Sequence, residues 1–447
     1  WQQLTPDQRV AAVGYALMAD NVKDGAVTAA KLADGAVTQS KMAAGAVTAT
    51  ALAPNAVKDN LAASGEGTVP SGAGLVSTSP NAPGLIAAGY QRVGVLNSGD
   101  DWTAIAGAGA RDAAASVWTG TEFMIWGDGN QGWRYNPTTS VWTAMSTANQ
   151  PLPRRNPLAV WTGTEMIVWA GSTSSGYFPS GVRYNPTTDS WTTMSVTNMP
   201  TPRNRTLASA VWTGTDMIIW GGFNGVALLD GARYTPQPGT GGVWNALPAS
   251  GLEARYQHSA TWTGSEMIVF GGTNGSVAFS NGARWNPTTG TWAALAAGPT
   301  ARYLHTAVWT GTGLLVWGGN NLFASAPYGN GAVYSPINQN WTEMGSSGVP
   351  AARFHHSAVW SGTEMIVWGG STSSVNSLVY TNTGASYNPV SGTWRSLTLN
   401  GAPGPRIQPL MAWTGLELLI YGGSNGAALG DGGRYRAGQT FYLYQRP

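Results

Sequence analysis

Seven copies of a W-[TS]-G turn, at Trp118, Trp161, Trp212, Trp262, Trp309, Trp360 and Trp413, recur at spacings of 43, 51, 50, 47, 51 and 53 residues. A period of that size restricts a chain to an array of small supersecondary units that share one continuous core. Each copy runs on into an apolar strand, as in Glu165-Met166-Ile167-Val168-Trp169, and most of these strands stop at a glycine pair such as Gly221-Gly222 or Gly271-Gly272. A polar loop follows, then G-x-[RVS]-[YW], usually with x-Pro behind it, as in Arg183-Tyr184-Asn185-Pro186. A last strand carries Trp142, Trp191, Trp244, Trp292, Trp341 or Trp394. The unit therefore reads as four short strands. Such a sheet cannot cover both of its own faces, so the indoles fill the wedge to the next unit, and the glycine pair marks a turn too sharp for other residues.

Units of about 50 residues with four strands each are similar to kelch repeats, and residues 102–447 resemble a kelch or galactose-oxidase-like propeller over all seven units. The expected fold class is all-β, a seven-bladed kelch-type β-propeller with an N-terminal oligomeric repeat stalk. Two segments compete to close the ring. Trp102-Thr103-Ala104-Ile105 looks like an outermost strand without its own blade, whereas Thr440-Phe441-Tyr442-Leu443-Tyr444 sits where that strand would also fall. The first matches the pattern of the other six outer strands better.

A shorter repeat precedes the propeller. Residues 24–62 read DGAVTAAKLA, DGAVTQSKMA, AGAVTATALA, PNAVKDNLA, with Val27, Val37, Val47 and Val57 in register. An apolar residue every five positions fits neither a helix nor a simple strand, and one copy buries almost nothing. Thr5-Pro6-Asp7 ahead of it is a helix start, with Val10, Val13 and Leu17 on one stripe. The decapeptides resemble stalk repeats of phage tail fibres and bacterial surface proteins, which implies an intertwined homo-oligomer, most often a trimer. Residues 63–101, rich in Gly, Ser and Pro, are expected to be a collar holding a strand, a short helix from Asn81 and a second strand. The domain plan is thus 1–62 stalk, 63–101 collar, 102–447 propeller.

Composition removes several function classes. The net charge is +2 and only 10% of residues are charged, so no field draws the chain to nucleic acid or anionic lipid. No apolar run approaches the roughly 18 residues of a membrane span. Cysteine is absent, which excludes disulfides, zinc–thiolate sites and thiol nucleophiles. It also excludes the copper radical cofactor implied by the galactose oxidase likeness, because that group needs a Tyr–Cys cross-link. All four lysines (Lys23, Lys31, Lys41, Lys58) lie in the first 60 residues. Few charges and much Gly, Ser and Thr read as an extracellular, cell-surface or virion chain. The first residue, Trp1, reads as the start of a processed or trimmed product.

Three side-chain patterns are candidates for chemistry. Arg111, Arg154, Arg205, Arg255, Arg302, Arg353 and Arg406 each stand seven residues before a W-[TS]-G tryptophan, around the channel mouth. They read either as an anion site or as architecture that bonds carbonyls of the neighbouring blade. Glu122, Glu165, Asp216, Glu266 and Glu417 are expected to pair with Arg134, Arg183, Arg233, Arg284 and Arg434 on the third strand of the same blade. All four histidines (His258, His305, His355, His356) fall in blades four to six, without the pattern of a metal site.

The loops between second and third strands vary most. Blade five has eleven residues there and blade six thirteen, against about three in blade one. Loops on a rigid scaffold are where binding is usually placed. Phe323, Tyr328, Tyr380, Asn321, His305 and His355 are therefore the expected ligand-binding group, suited to a sugar or a protein surface. The chain is expected to be a non-enzymatic fibre or appendage subunit, with no cofactor, whose head binds a surface glycan or protein. The alternatives are a propeller that stacks into a filament or surface layer, and a carbohydrate-active enzyme.

Overall fold

A computed structural model describes residues 75–77, 91–97, 100–199, 204–237, 239, 241–322, 326–438 and 440–445. The expected N-terminal helix, the decapeptides, the helix from Asn81 and Phe323 lie outside the described residues. Those residues divide into two units, and each is described by itself.

The larger unit, Gly99–Gly438, is a ring of seven antiparallel four-stranded sheets. Blade four shows the plan: Ser259–Trp262 innermost, then Met267–Phe270, Gly282–Asn286 and Thr291–Ala294. Each inner strand packs against the next, and the seventh against the first. The second strand of every blade is buried at all four positions, because a neighbouring blade covers each of its faces. This explains its unbroken apolar run, where a half-exposed strand would alternate.

The wedge between blades is aromatic. The last residue of each second strand meets the outer-strand tryptophan of the following blade: Trp126–Trp191, Trp169–Trp244, Trp220–Trp292, Phe270–Trp341 and Trp317–Trp394, with ring centroids 4.8–6.2 Å apart. Tyr421–Trp142 joins blade seven to blade one at 4.9 Å. The remaining junction is Trp368–Trp102 at 5.9 Å.

Trp102 therefore occupies the outer-strand position of blade seven. Asp101–Arg111 pairs with Leu429–Arg436, and that sheet continues through Leu418–Tyr421 to Leu410–Trp413. Asp100 secures the strand, accepting hydrogen bonds from Tyr435 Oη at 2.6 Å and from Arg395 of blade six at 2.7 Å. The C-terminal strand Thr440–Gln445, which the 102–447 boundary assigns to the propeller, does not join it. In the smaller unit it lies between Leu75–Ser77 and Gln91–Asn97 in a three-stranded antiparallel sheet.

The charge pairs follow the strand register. Ile167 faces Arg183 and Ile268 faces Arg284, so an acid two residues earlier reaches the same guanidinium. Glu165–Arg183 and Glu266–Arg284 stand at 3.5 Å, Glu122–Arg134 at 3.4 Å, Asp216–Arg233 at 3.8 Å and Glu417–Arg434 at 2.7 Å. Arg134 and Arg183 also donate to Pro186 O and Gln237 O of the following blade, so these pairs link blades as well as strands.

Candidate interaction face

The segment leading into each inner strand and the loop leaving each second strand meet on one face of the ring. A backbone bridge joins them in six blades: Arg155 to Ser172, Thr206 to Phe223, Tyr256 to Thr273, Tyr303 to Asn320, Phe354 to Ser371 and Ile407 to Ser424. The glycine pair makes this approach possible. Gly271 and Gly272 have φ of 67° and 92°, and a Cβ on Gly271 would stand 2.7 Å from both Arg302 O and the His305 ring.

The arginine before each inner strand is buried, from 0 to 6% exposed. In blades two to seven its guanidinium clasps two carbonyls of its own blade. Arg302 Nη1, for example, donates to Gly318 O at 2.9 Å and Asn330 O at 3.0 Å. Arg255 and Arg353 repeat the grip on Gly271 with Asn281 and on Gly369 with Thr383. The neighbour contact runs through the main chain instead: Arg255 O, Arg302 O, Arg353 O and Arg406 O accept from the second glycine N–H of the preceding blade. The expectation that each side chain bonds the neighbouring blade is thus corrected, since the sixteen-residue reach from Arg to glycine closes within one repeat. Burial holds Arg154, Arg255, Arg302 and Arg353 down to about 10, which leaves them charged at neutral pH. The forks of Arg255, Arg302 and Arg353 are taken up by protein oxygens, which favours the architectural reading of these arginines.

Two residues on from the arginine in blades two to seven, the chain turns through left-handed φ at Asn156, Leu207, Gln257, Leu304, His355 and Gln408. Their main chains form a hoop around the channel mouth. Gln257 N donates to Leu207 O, Leu304 N to Gln257 O, His355 N to Leu304 O and Gln408 N to His355 O.

The histidines are brackets between blades. His258 Nε2 meets Ser209 Oγ at 2.8 Å, His305 Nε2 meets Ser259 Oγ at 2.9 Å, and His356 Nε2 meets Thr306 Oγ1 at 2.8 Å. Burial, with the adjacent arginine, pushes His258 and His305 down to about 3 and His356 well below its usual range. These rings are neutral. Among the described residues no cluster of three or more His, Asp or Glu is arranged to hold a metal ion.

Of the expected ligand group, Asn321, Tyr328 and His305 gather around Arg302 as structure. The Arg302 guanidinium lies 5.0 Å from the Tyr328 ring centroid, as Arg154 and Arg255 lie over Phe178 and Phe279. Asn321 Nδ2 donates to Ala301 O at 3.3 Å, and His305 is 9% exposed. His355 belongs to the mouth hoop, its ring against Phe354 and its pKa lowered to about 4 by burial. Tyr380 is half-buried in the blade-six loop, bridged to Ser371. Of the five described residues, Asn321, Tyr328, His305 and His355 take part in contacts within the ring, and Tyr380 stands apart from them in the blade-six loop.

Among the described residues, the large apolar side chains that these loops expose are aliphatic. Val226 and Leu229 in the blade-three loop are 65% and 53% exposed. Val277 in blade four is 43% exposed, and Val375, Leu378 and Val379 in blade six are 40%, 37% and 53% exposed. Beside them Tyr177, Phe223 and Tyr256 form a half-buried aromatic run across blades two to four, with centroids at 6.4 and 5.0 Å. Comparing loop composition as well as loop length would have singled these out in the sequence.

The model of the KLHDC2/KLHL20/DRC7 Kelch-repeats domain matches residues 112–297 and 304–443. No curated protein gives a significant match to the chain.

Proposed function

Since the chain belongs to the Kelch-repeat family, we propose that its propeller is a protein-interaction module that engages its partner through the face carrying the second-to-third-strand loops. The observation that carries this reading is the set of exposed aliphatic loop tips, Val226, Leu229, Val277, Val375, Leu378 and Val379, on a rigid ring. Apolar tips mounted around a polar mouth suit a protein surface, where a desolvated centre supplies most of the binding energy.

In the same proposal the chain is a non-enzymatic fibre or appendage subunit that works outside the cell, with the decapeptides of residues 24–62 joining three chains into a stalk. The test is a surface-protein array probed with the isolated head, residues 99–438, and with its Val226→Ser, Leu229→Ser, Leu378→Ser, Val379→Ser variant. Each serine replaces an exposed side chain, so the variant is expected to fold and to lose at least tenfold in affinity for the partner. Equal binding by both proteins removes the site from this face.

A filament of stacked propellers is favoured by a separate observation. Turns on the opposite face also expose apolar residues, with Ile337 at 86%, Val390 at 95% and Leu416 at 73%. Light scattering of the head across a concentration series separates the two readings, because stacking raises the mass with concentration and a partner-binding monomer does not.

A further inference from the structure

On the face opposite the loops, blade three departs from the five other blades whose third and outer strands follow one another in the chain. Its third and outer strands are joined by a turn that places Trp244 ten residues after Tyr234, where blade two needs seven from Tyr184 to Trp191. The short turns are drawn tight by a side chain at their start; Asn185 Oδ1, for instance, accepts from Thr187 N and Thr188 N. The longer turn keeps both anchors to the preceding blade. Gln237 O accepts from Arg183 Nη1 at 3.3 Å, and Gly241 O accepts from Ser195 N at 2.6 Å. Gln237, Gly239 and Gly241 of this turn line one side of an open groove of about 1010 Å³ between blades two and three.

The lining of this groove is rich in hydroxyls and uncharged on balance. Thr164, Thr192 and Thr215 present hydroxyls, and Trp212 presents a half-buried indole. The charges at its base, Glu165 and Arg183, are paired with each other at 3.5 Å, so the groove offers no net charge to an ion. Hydroxyls that both donate and accept, beside an aromatic face whose partial negative charge attracts polarised C–H groups, match a neutral polyhydroxylated ligand. The volume is at the upper end for a small-molecule cleft and accommodates several linked rings. We propose that this groove is a binding site for a neutral oligosaccharide. It is independent of the loop face and of the partner that face engages.

The test is a printed array of neutral, sialylated and sulfated glycans probed with the intact chain, followed by solution competition with the best neutral oligosaccharide. The same measurements are made on the Thr164→Val, Thr192→Val, Thr215→Val variant, which keeps β-branched shape and removes only hydroxyls. The expected result is selection of neutral glycans, with at least a tenfold loss in the variant at an unchanged melting temperature. If the triple variant melts early, exposed Gln237→Ala is measured instead and is expected to weaken binding in the same direction. Absence of any neutral glycan among the bound set, preference for charged glycans, or equal binding by the folded variants overturns the site.

Discussion

At the residue scale, the repeated arginine and histidine matter through what they satisfy. Replacing Arg353 by Met strips the partner from two buried carbonyls, Gly369 O and Thr383 O, each a loss of about 1–3 kcal/mol. The variant is expected to unfold at a clearly lower urea midpoint than the parent, and Arg353→Lys to recover only part, since an ammonium does not reproduce the planar fork. A midpoint equal to the parent's would show that water replaces the clasp. Glu165→Gln, by contrast, is expected to cost only about 0–1 kcal/mol, because its pair with Arg183 is a partly exposed one that serves strand register. The histidine brackets carry a pH dependence. His258 and His305 titrate near 3 in the folded chain and His355 near 4, against about 6.5 when unfolded, so the folded state binds fewer protons. Their stabilisation is complete above pH 6.5 and falls as pH drops towards 3. At pH 5 each group costs about 2 kcal/mol. The urea midpoint should therefore drop markedly between pH 7.5 and pH 5, and His258→Gln, His305→Gln, His355→Gln together should flatten that drop.

At the scale of elements, the strand Asp101–Arg111 decides whether the ring is closed. It supplies the outer edge of blade seven, and Trp102 fills a wedge with Trp368, Leu418, Ile420 and Tyr435. Trp102→Ala should destabilise the head by about 3–5 kcal/mol, as truncation of a large buried aromatic does. A chain starting at residue 112 loses the strand outright and leaves the third strand of blade seven as an open edge, prone to pairing with other chains. It is expected to aggregate, whereas residues 99–438 should unfold in one cooperative transition. Removing the C-terminal strand Thr440–Gln445 should leave that transition unchanged, because the strand pairs only within the other sheet. A broadened or early transition in the 99–438 fragment would show that the ring depends on it.

For the whole molecule, assembly is expected to follow the decapeptides. Each copy has too little apolar surface to fold alone, so association has to supply the missing burial. Light scattering should give a trimer for the intact chain and a monomer for residues 63–447. A monomeric intact chain would remove the intertwined stalk.

The number of blades, the order of strands and the acid–arginine pairs were legible from residue spacing alone, because each depends on contacts inside one repeat. Trp102 was legible for the same reason: its strand carried the pattern of the other six. Linear spacing holds no information about which atoms of the next blade a side chain meets, and that is where tertiary structure decided. It buried the Arg302 guanidinium against the half-buried Tyr328 ring, tied His305 to Ser259 of the preceding blade, and sent Thr440–Gln445 to a different sheet. Loop length marked which positions were free to vary. Only packing around the ring determined that Val226, Leu229 and Val379 stand exposed there while Tyr328 lies over the Arg302 guanidinium, because a ring face laid against a buried cation is already taken.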